Sequence, residues 1–325
     1  IEMIFSIILL ISGTGFLGQH VVKHLLSDDT VKEIRILDKL RYNNSLGGIY
    51  RNALGVDVIL HCAALVSYEF PPEVDDLHSN NKNFHHSHNV HHLHSTGIVA
   101  MAVYSQESRA RPPDDENRLI AGEYAASKLR AEKIVLAANG RKLSNGILST
   151  LVLRPPLLYG EGDVKLVWKI LEVAKNRGNS LIKLAGVGGK QEMAYVGNAA
   201  WAFICAKNAL SNSPERIGGL PMFITDDTTV ENLFRFCERL TRDTKNHISL
   251  SWSIPVPVSY LCAFLAEFMI NYFPLVSPRC LVAYLGSMIL HNRTRASIHI
   301  NYSPIFNREE SLRLSSNYYS KIFEL

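Results

Sequence analysis

Apolar and polar positions switch repeatedly between two spacings over the first 160 residues. Residues 3–11, MIFSIILLI, are apolar except for Ser6. A run of that length predicts a strand over 4–11 with both faces buried. The next block, FLGQHVVKHLLS, repeats its apolar positions every three to four residues and predicts a helix over 16–27. EIRILDK (33–39) and GVDVILHCAAL (55–65) predict two further strands. YAASKLRAEKIVLAANG (124–140) predicts an amphipathic helix with a glycine stop, and LSTLVLRPPLLYG (148–160) a strand that ends in prolines. Helices are expected at 164–177, 194–210 and 229–241, with a strand at 221–225, and no internal repeat is found. Alternating strands and helices imply an α/β fold with a doubly wound parallel sheet. The expected division is a first domain at 1–160, with 194–228 contributing. A smaller C-terminal part, 161–193 and 229–325, is expected to bind substrate and associate with membrane.

Two apolar stretches bear on membranes. Residues 3–11 have no basic flank and no small-residue cleavage site, and they run directly into glycines, so they read as a strand rather than a signal peptide. Residues 254–274, IPVPVSYLCAFLAEFMINYFP, hold a single charge, Glu267. Their apolar part, Val258 to Phe273, is short for a bilayer span. It reads either as a helix lying in a membrane interface or as a helix covering a ligand pocket.

Composition narrows the classes. The chain has 325 residues, 47% of them hydrophobic and 20% charged, with a net charge of +4. It is globular, and no Lys/Arg block marks a nucleic-acid surface. The five cysteines are far apart and lack metal-knuckle spacing, which suggests reduced thiols in a cytosol-facing protein.

The candidate chemistry begins at SGTGFLG, where Gly13, Gly15 and Gly18 fit G-x-G-x-x-G between a strand and a helix. The first βα turn must be tight, and a pyrophosphate must approach its backbone and the positive end of the helix. Gly13, Thr14, Gly15, Phe16, Leu17 and Gly18 are therefore candidate cofactor-binding residues. Asp38 follows Gly18 by twenty residues at a strand end. There it can accept from ribose hydroxyls and repel a 2′-phosphate, which favours NAD over NADP. Ala63, among the small residues closing the strand at 55–65, and Pro155 complete the set. Tyr124 and Lys128 stand four apart on one helix face. A tyrosine with a reference pKa of about 10 needs roughly 4 kcal/mol of help to act as a base at pH 7, and a nearby ammonium in a partly desolvated site can supply it.

These residues make the chain resemble the extended short-chain dehydrogenases/reductases, and more narrowly the 3β-hydroxysteroid dehydrogenase/Δ5–Δ4 isomerase family. The carriers are GTGFLGQHVVKHLL, IRILDK, GVDVILHCAALV, YAASKLRAEKIVLAANG, LVLRPPLLYGEGD, AYVGNAAWAF, GGLPMFITDDTTVENLFRFCERL and SWSIPVPVSYLCAFLAEF, in family order over about residues 8–270. The resemblance implies oxidation of a 3β-hydroxysteroid with NAD, with or without migration of a ring double bond. It implies Tyr124 as base and Lys128 as its activator and ribose ligand. It also implies association with the endoplasmic reticulum or mitochondrial membrane, facing the cytosol, through 254–274; a cytoplasmic protein is the reading if that segment is buried. Sterol-4-carboxylate 3-dehydrogenases and reductases of other alcohols share the same cofactor half. A second copy of the chain is considered as a further partner.

Three departures from the family pattern stand out. Ser12 replaces the first glycine of the family turn, and if that position has φ > 0 a serine there costs about 1 kcal/mol or more. Only 16 residues separate Asp38 from GVDVILHCAAL, leaving no room for the strand the family places there, so a sheet edge is expected to be missing. In the family's T-S-S region the alignment sets Ser95, Thr96 and Gly97. The serine that would hydrogen-bond the substrate oxygen becomes Gly97, unless the register slips by one and Thr96 supplies the hydroxyl. These departures also fit a catalytically impaired protein that binds a sterol or a partner. Six histidines crowd 85–94, with His88 and His92 at i,i+4, but no cysteine or carboxylate joins them and no metal site is assigned. Asp226 and Asp227 are candidates for proton shuttling in isomerisation, or for a turn capping a helix at 229. The adjacent Met222 and Phe223 carry no hydroxyl.

Overall fold

The computed structural model describes residues 6–38, 55–62, 98–102, 122–143, 146–186, 188–270 and 278–324. Of 98–102, 122–127, 267–270, 278, 280 and 281 it describes the backbone alone. Six strands form one sheet: β1 (Ser6–Ile11), β2 (Val31–Leu37), β3 (Val58–His61), β4 (Ile98–Ala102), β5 (Ser149–Arg154) and β6 (Leu220–Phe223), in the order β6-β5-β4-β3-β1-β2. Every pairing in it is parallel. The apolar run predicts this position: Ile8, Leu9, Leu10 and Ile11 are all buried, because helices cover both faces. On one face α1 (Phe16–Leu25) packs against α3 (Val196–Asn212). On the other, α2 (Gly122–Ala137) packs against β5, with Ala131 and Val135 meeting Val152. The doubly wound α/β expectation holds.

The chain leaves β1 toward β2 on one side and returns to β3 on the other. The strand order therefore reverses at β1, and the crevice at the carboxyl ends of β1 and β3 is where open α/β sheets bind ligands. Among the described residues β2 is one edge of the sheet. Residues 39–54 lie outside the described residues.

Two boundaries differ from the sequence reading. The expected strand over 148–160 divides after Arg154, and Leu157–Tyr159 joins a separate parallel pair with Met193–Tyr195. Pro155 and Pro156 cannot donate to the ladder, so the sheet must end there. The helix expected from 194 begins at Val196, because Met193–Tyr195 is that partner strand and the Tyr195 N–H donates to Asp226 at 2.8 Å.

The C-terminal part is tied to the sheet by buried polar hubs. Asp163 accepts from the backbone N–H groups of Lys165, Leu166, Val167 and Trp168, capping the helix Val167–Lys175. It also accepts from the Tyr319 hydroxyl at 2.9 Å, and that hydroxyl accepts from Gly160 N–H at 3.1 Å. The Gly160–Gly162 loop is thereby held between the helix Arg308–Tyr319 and Phe16, which Gly162 touches. On α1, His20 Nε2–H donates to the Glu161 carbonyl at 2.8 Å, and Tyr195 donates its hydroxyl to the Glu161 carboxylate. Burial pushes the His20 pKa below its ordinary value, keeping the ring neutral in this seam. Among the described residues Cys62, Cys205, Cys237 and Cys262 are unbridged.

Asp163→Ala leaves four N–H groups and a hydroxyl without their acceptor. It should lower stability by about 3 kcal/mol in urea titrations, and Asp163→Asn should lose less. Equal stability of Asp163→Ala and wild type would show that the hub is dispensable.

Candidate active site

The glycine turn occupies the crevice at the end of β1, and each glycine is there for a contact a side chain would block. A Cβ on Gly13 would lie 2.8 Å from Ile36 Cγ2, inside the β1–β2 packing. A Cβ on Gly18 would lie 2.1 Å from the Ser12 carbonyl oxygen, so only glycine lets α1 come this close to the turn. A Cβ on Gly15 would lie 2.9 Å from Ser12 Oγ, over the mouth of the turn. Gly15 caps α1 without a side-chain hydrogen bond, and the first turn of α1, from Phe16 through Leu17 and Gly18, carries no acidic residue. Its N–H groups and positive dipole end are therefore available to an anion.

Ser12 sits at φ +61°, the left-handed region anticipated for it. Its carbonyl accepts from Gly15 N–H at 3.1 Å, and its own N–H donates to Leu37 at 2.8 Å. The turn thus keeps its hydrogen bonds while holding a non-glycine residue in a strained conformation. Asp38 stands at the end of β2 directly above it. One carboxylate oxygen accepts from the Thr14 N–H at 3.1 Å and from the Thr14 hydroxyl. That ties the acidic strand end to the glycine turn, as two parts of one dinucleotide cradle. A carboxylate has roughly four acceptor sites, so ribose hydroxyls can still be received beside Thr14.

The second half of the site rests on α2. Tyr124 lies on this helix, and its side chain is outside the described residues. Lys128 is one turn further on and almost wholly buried, and desolvation pushes its pKa down to about 7. One turn beyond that, Glu132 receives Arg154 in a bidentate ion pair. Arg154 Nε–H donates to Oε2 at 3.0 Å and Nη2 to the other oxygen, with both side chains buried. Arg154 is the last residue of β5, at the carboxyl edge of the sheet. Positions 124, 128 and 132 share one helix face, so the pair fixes the face that carries Tyr124 and Lys128. Sequence reading named the neighbouring Pro155 and overlooked Glu132. Its signal was the four-residue step continued once more, Y-x-x-x-K-x-x-x-E. Pro155 follows Arg154, buried at the same edge. Thr96, Gly97, Ala63 and the histidines of 85–94 lie outside the described residues.

The two aspartates of ITDDT have other work. Asp226 is buried and accepts from Tyr195 N–H at 2.8 Å, Asn198 Nδ2 at 3.0 Å and Thr228 N–H at 2.9 Å. Desolvation raises its pKa against those hydrogen bonds. Asp227 is exposed and paired with Arg293 at 2.8 Å. Neither caps a helix at 229; the helix begins at Leu233, with Asn232 as its cap. Asp226 thereby ties the Tyr195–Asn198 segment to its own turn at Thr228. Among the described residues no group of three or more metal-ligating side chains is found.

A parallel sheet with a dinucleotide cradle at its switch point and a lysine-bearing helix locked to the same edge is the framework of a nucleotide-dependent oxidoreductase of the short-chain dehydrogenase/reductase type. The 3-beta hydroxysteroid dehydrogenase/isomerase family matches residues 77–256, more than half of the chain, and the protein belongs to that family. The match begins beyond the glycine turn. Solved structures with the same fold include a UDP-galactose 4-epimerase (TM-score 0.68, 15% identity, 97% of this chain and 99% of that chain). MoeE5 in complex with UDP-glucuronic acid and NAD is another (0.66, 15%, 97% and 99%). A third is the Helicobacter pylori ADP-L-glycero-D-manno-heptose-6-epimerase (0.64, 14%, 100% and 98%).

The left-handed geometry at residue 12 sets an unusual order of tolerance. Ser12→Gly should be neutral or stabilising by up to about 1 kcal/mol, whereas Ser12→Val should cost about 2 kcal/mol, because β-branched residues are poorly accommodated at positive φ. Chemical denaturation of the three proteins checks the order; valine equal to serine would contradict the turn geometry.

Proposed function

We propose that this protein oxidises the 3β-hydroxyl of a steroid to the 3-oxosteroid. The cofactor is NAD. The observation that carries the reading is the locked face of α2, with Lys128 buried one turn after Tyr124 and the Glu132–Arg154 pair one turn further on, in a chain of this family. Gly13 to Gly18 and the first turn of α1 would hold the pyrophosphate, Asp38 with Thr14 the adenosine ribose, and Lys128 the nicotinamide ribose. When bound, NAD supplies the hydride acceptor. Tyr124 takes the hydroxyl proton as its phenolate, and Lys128 favours that phenolate by carrying positive charge beside it. Burial alone leaves Lys128 close to half protonated at neutral pH. A neighbouring anion favours its charged form, so the lysine and the phenol assist each other. The proposal is confined to the oxidation.

The apolar segment supports a membrane-interface role for the substrate part. The helix Val256–Ile270 exposes Val256, Val258, Tyr260, Leu261, Phe264 and Leu265, and Trp252 just before it is 78% exposed. Within 256–265 only Ser259 and Ala263 are buried. Among the described residues no helix is long and apolar enough to cross a membrane. We infer a helix lying in the surface of the endoplasmic reticulum or mitochondrial membrane on its cytosolic side, where a sterol would be delivered.

The reaction is tested by NADH absorbance with a 3β-hydroxy-5-ene steroid. Tyr124→Phe should lower kcat by about 10³-fold or more while retaining NAD binding; equal rates in both proteins would remove Tyr124 from the mechanism. A wild-type protein that binds the steroid but forms no NADH would favour the catalytically impaired reading. Co-sedimentation with phosphatidylcholine vesicles checks the membrane contact. Wild type should pellet with them and the double variant Leu261→Lys, Phe264→Lys should not, whereas equal sedimentation would exclude this helix as the anchor.

A further inference from the structure

An imidazole–carboxylate pair lies at the same carboxyl edge of the sheet, apart from the cradle and α2. His291 donates twice to one oxygen of Glu192, from its backbone N–H at 2.6 Å and from ring Nδ1 at 2.9 Å. The carboxylate can only accept, so Nδ1 carries a proton, and Nε2 is the ring's remaining polar atom. The His291 side chain is 3% exposed, and among the described residues Nε2 has no hydrogen-bond partner. A buried polar atom left unpaired is costly, and one that persists in a well-packed region calls for an explanation.

The surroundings fix this pair in place. Lys190–Gln191 pairs with Met288–Ile289, and Gln191 Nε2 donates to the carbonyls of Tyr284, Leu285 and Ser287, each at 3.1 Å. The two segments carrying Glu192 and His291 are therefore held together independently of the pair itself. The His291 ring stacks on Phe223 with centroids 4.7 Å apart, and the same phenyl ring carries the Arg154 guanidinium at 5.2 Å. Phe223 is the last residue of β6. His291 is thus linked to Arg154 through one phenyl ring, and through Glu132 to the helix of Tyr124 and Lys128. Two residues on, Arg293 is paired with Asp227.

We propose that His291, held by Glu192, is a substrate-binding residue that accepts a hydrogen bond from a second hydroxyl of the substrate, remote from the alcohol being oxidised. This rests on the steroid dehydrogenase reading and deepens it. The ligand class is a steroid bearing a further alcohol. A ketone at that place would set a carbonyl oxygen against the Nε2 lone pair, so the pair selects hydroxyl over carbonyl. Sites built to receive a hydroxyl discriminate strongly against analogues without one, since the buried group is then left unpaired.

Two probes test this, 3β,17β-dihydroxyandrost-5-ene and its 17-oxo analogue. Wild type should show a KM for the diol about tenfold or more below that for the ketone. His291→Phe should abolish that preference with little change in kcat, and Glu192→Gln should weaken it. A preference retained in His291→Phe would overturn the proposal. The ¹⁵N resonance of His291 Nε2 in the wild-type protein gives a readout independent of both turnover and mutation. It should shift on adding the diol and stay in place with the ketone, and a resonance unmoved by the diol would overturn the proposal. A shift with the diol in a protein that forms no NADH would sink the dehydrogenase reading and sustain this one.

Discussion

The buried ion pair between Glu132 and Arg154 is the constraint on which the site depends. It joins the helix that carries Tyr124 and Lys128 to the last residue of a central strand. Burying both charges is expensive, and a bidentate geometry with matched planes is what makes such a pair tolerable. Removing one partner would leave a charge with no water and no counter-ion, so the pair specifies a single axial setting of α2 over the sheet. The setting of the Tyr124 position relative to the glycine turn follows from it, because both elements are referenced to the carboxyl edge of the same sheet.

The fold was legible because its signals are periodic and local. Long apolar runs could only be strands covered on both faces, and glycines between a strand and a helix could only be a tight βα turn. Where the chain departed from expectation, a long-range contact decided. Tyr195 reads as helical from its neighbours, yet its N–H is captured by Asp226 thirty-one residues away and its backbone pairs with Tyr159. The site was half legible. Gly13 to Gly18, Asp38 and Lys128 announce themselves by spacing. Glu132 and His291 do not, because their meaning lies in partners, Arg154 and Glu192, that are distant in sequence.

The two halves of the molecule use polar groups differently. In the first, backbone N–H groups at the start of α1 are left without side-chain caps. In the second, Asp163, Asn198, Gln191 and Asp226 each satisfy several backbone groups at once. Such hubs let irregular, loop-rich chain be buried without stranded donors. They also make the C-terminal part dependent on a few side chains, whereas the sheet is held by many interchangeable apolar contacts.

Lys128 gives the apoprotein a proton balance of its own. Its amine binds a proton near pH 10.5 when solvated and near pH 7 when buried. Between those values the unfolded chain holds a proton that the folded chain has released. Folding in that window therefore acidifies the medium, and through this group the apoprotein gains stability as pH rises and forfeits it as pH falls toward neutrality.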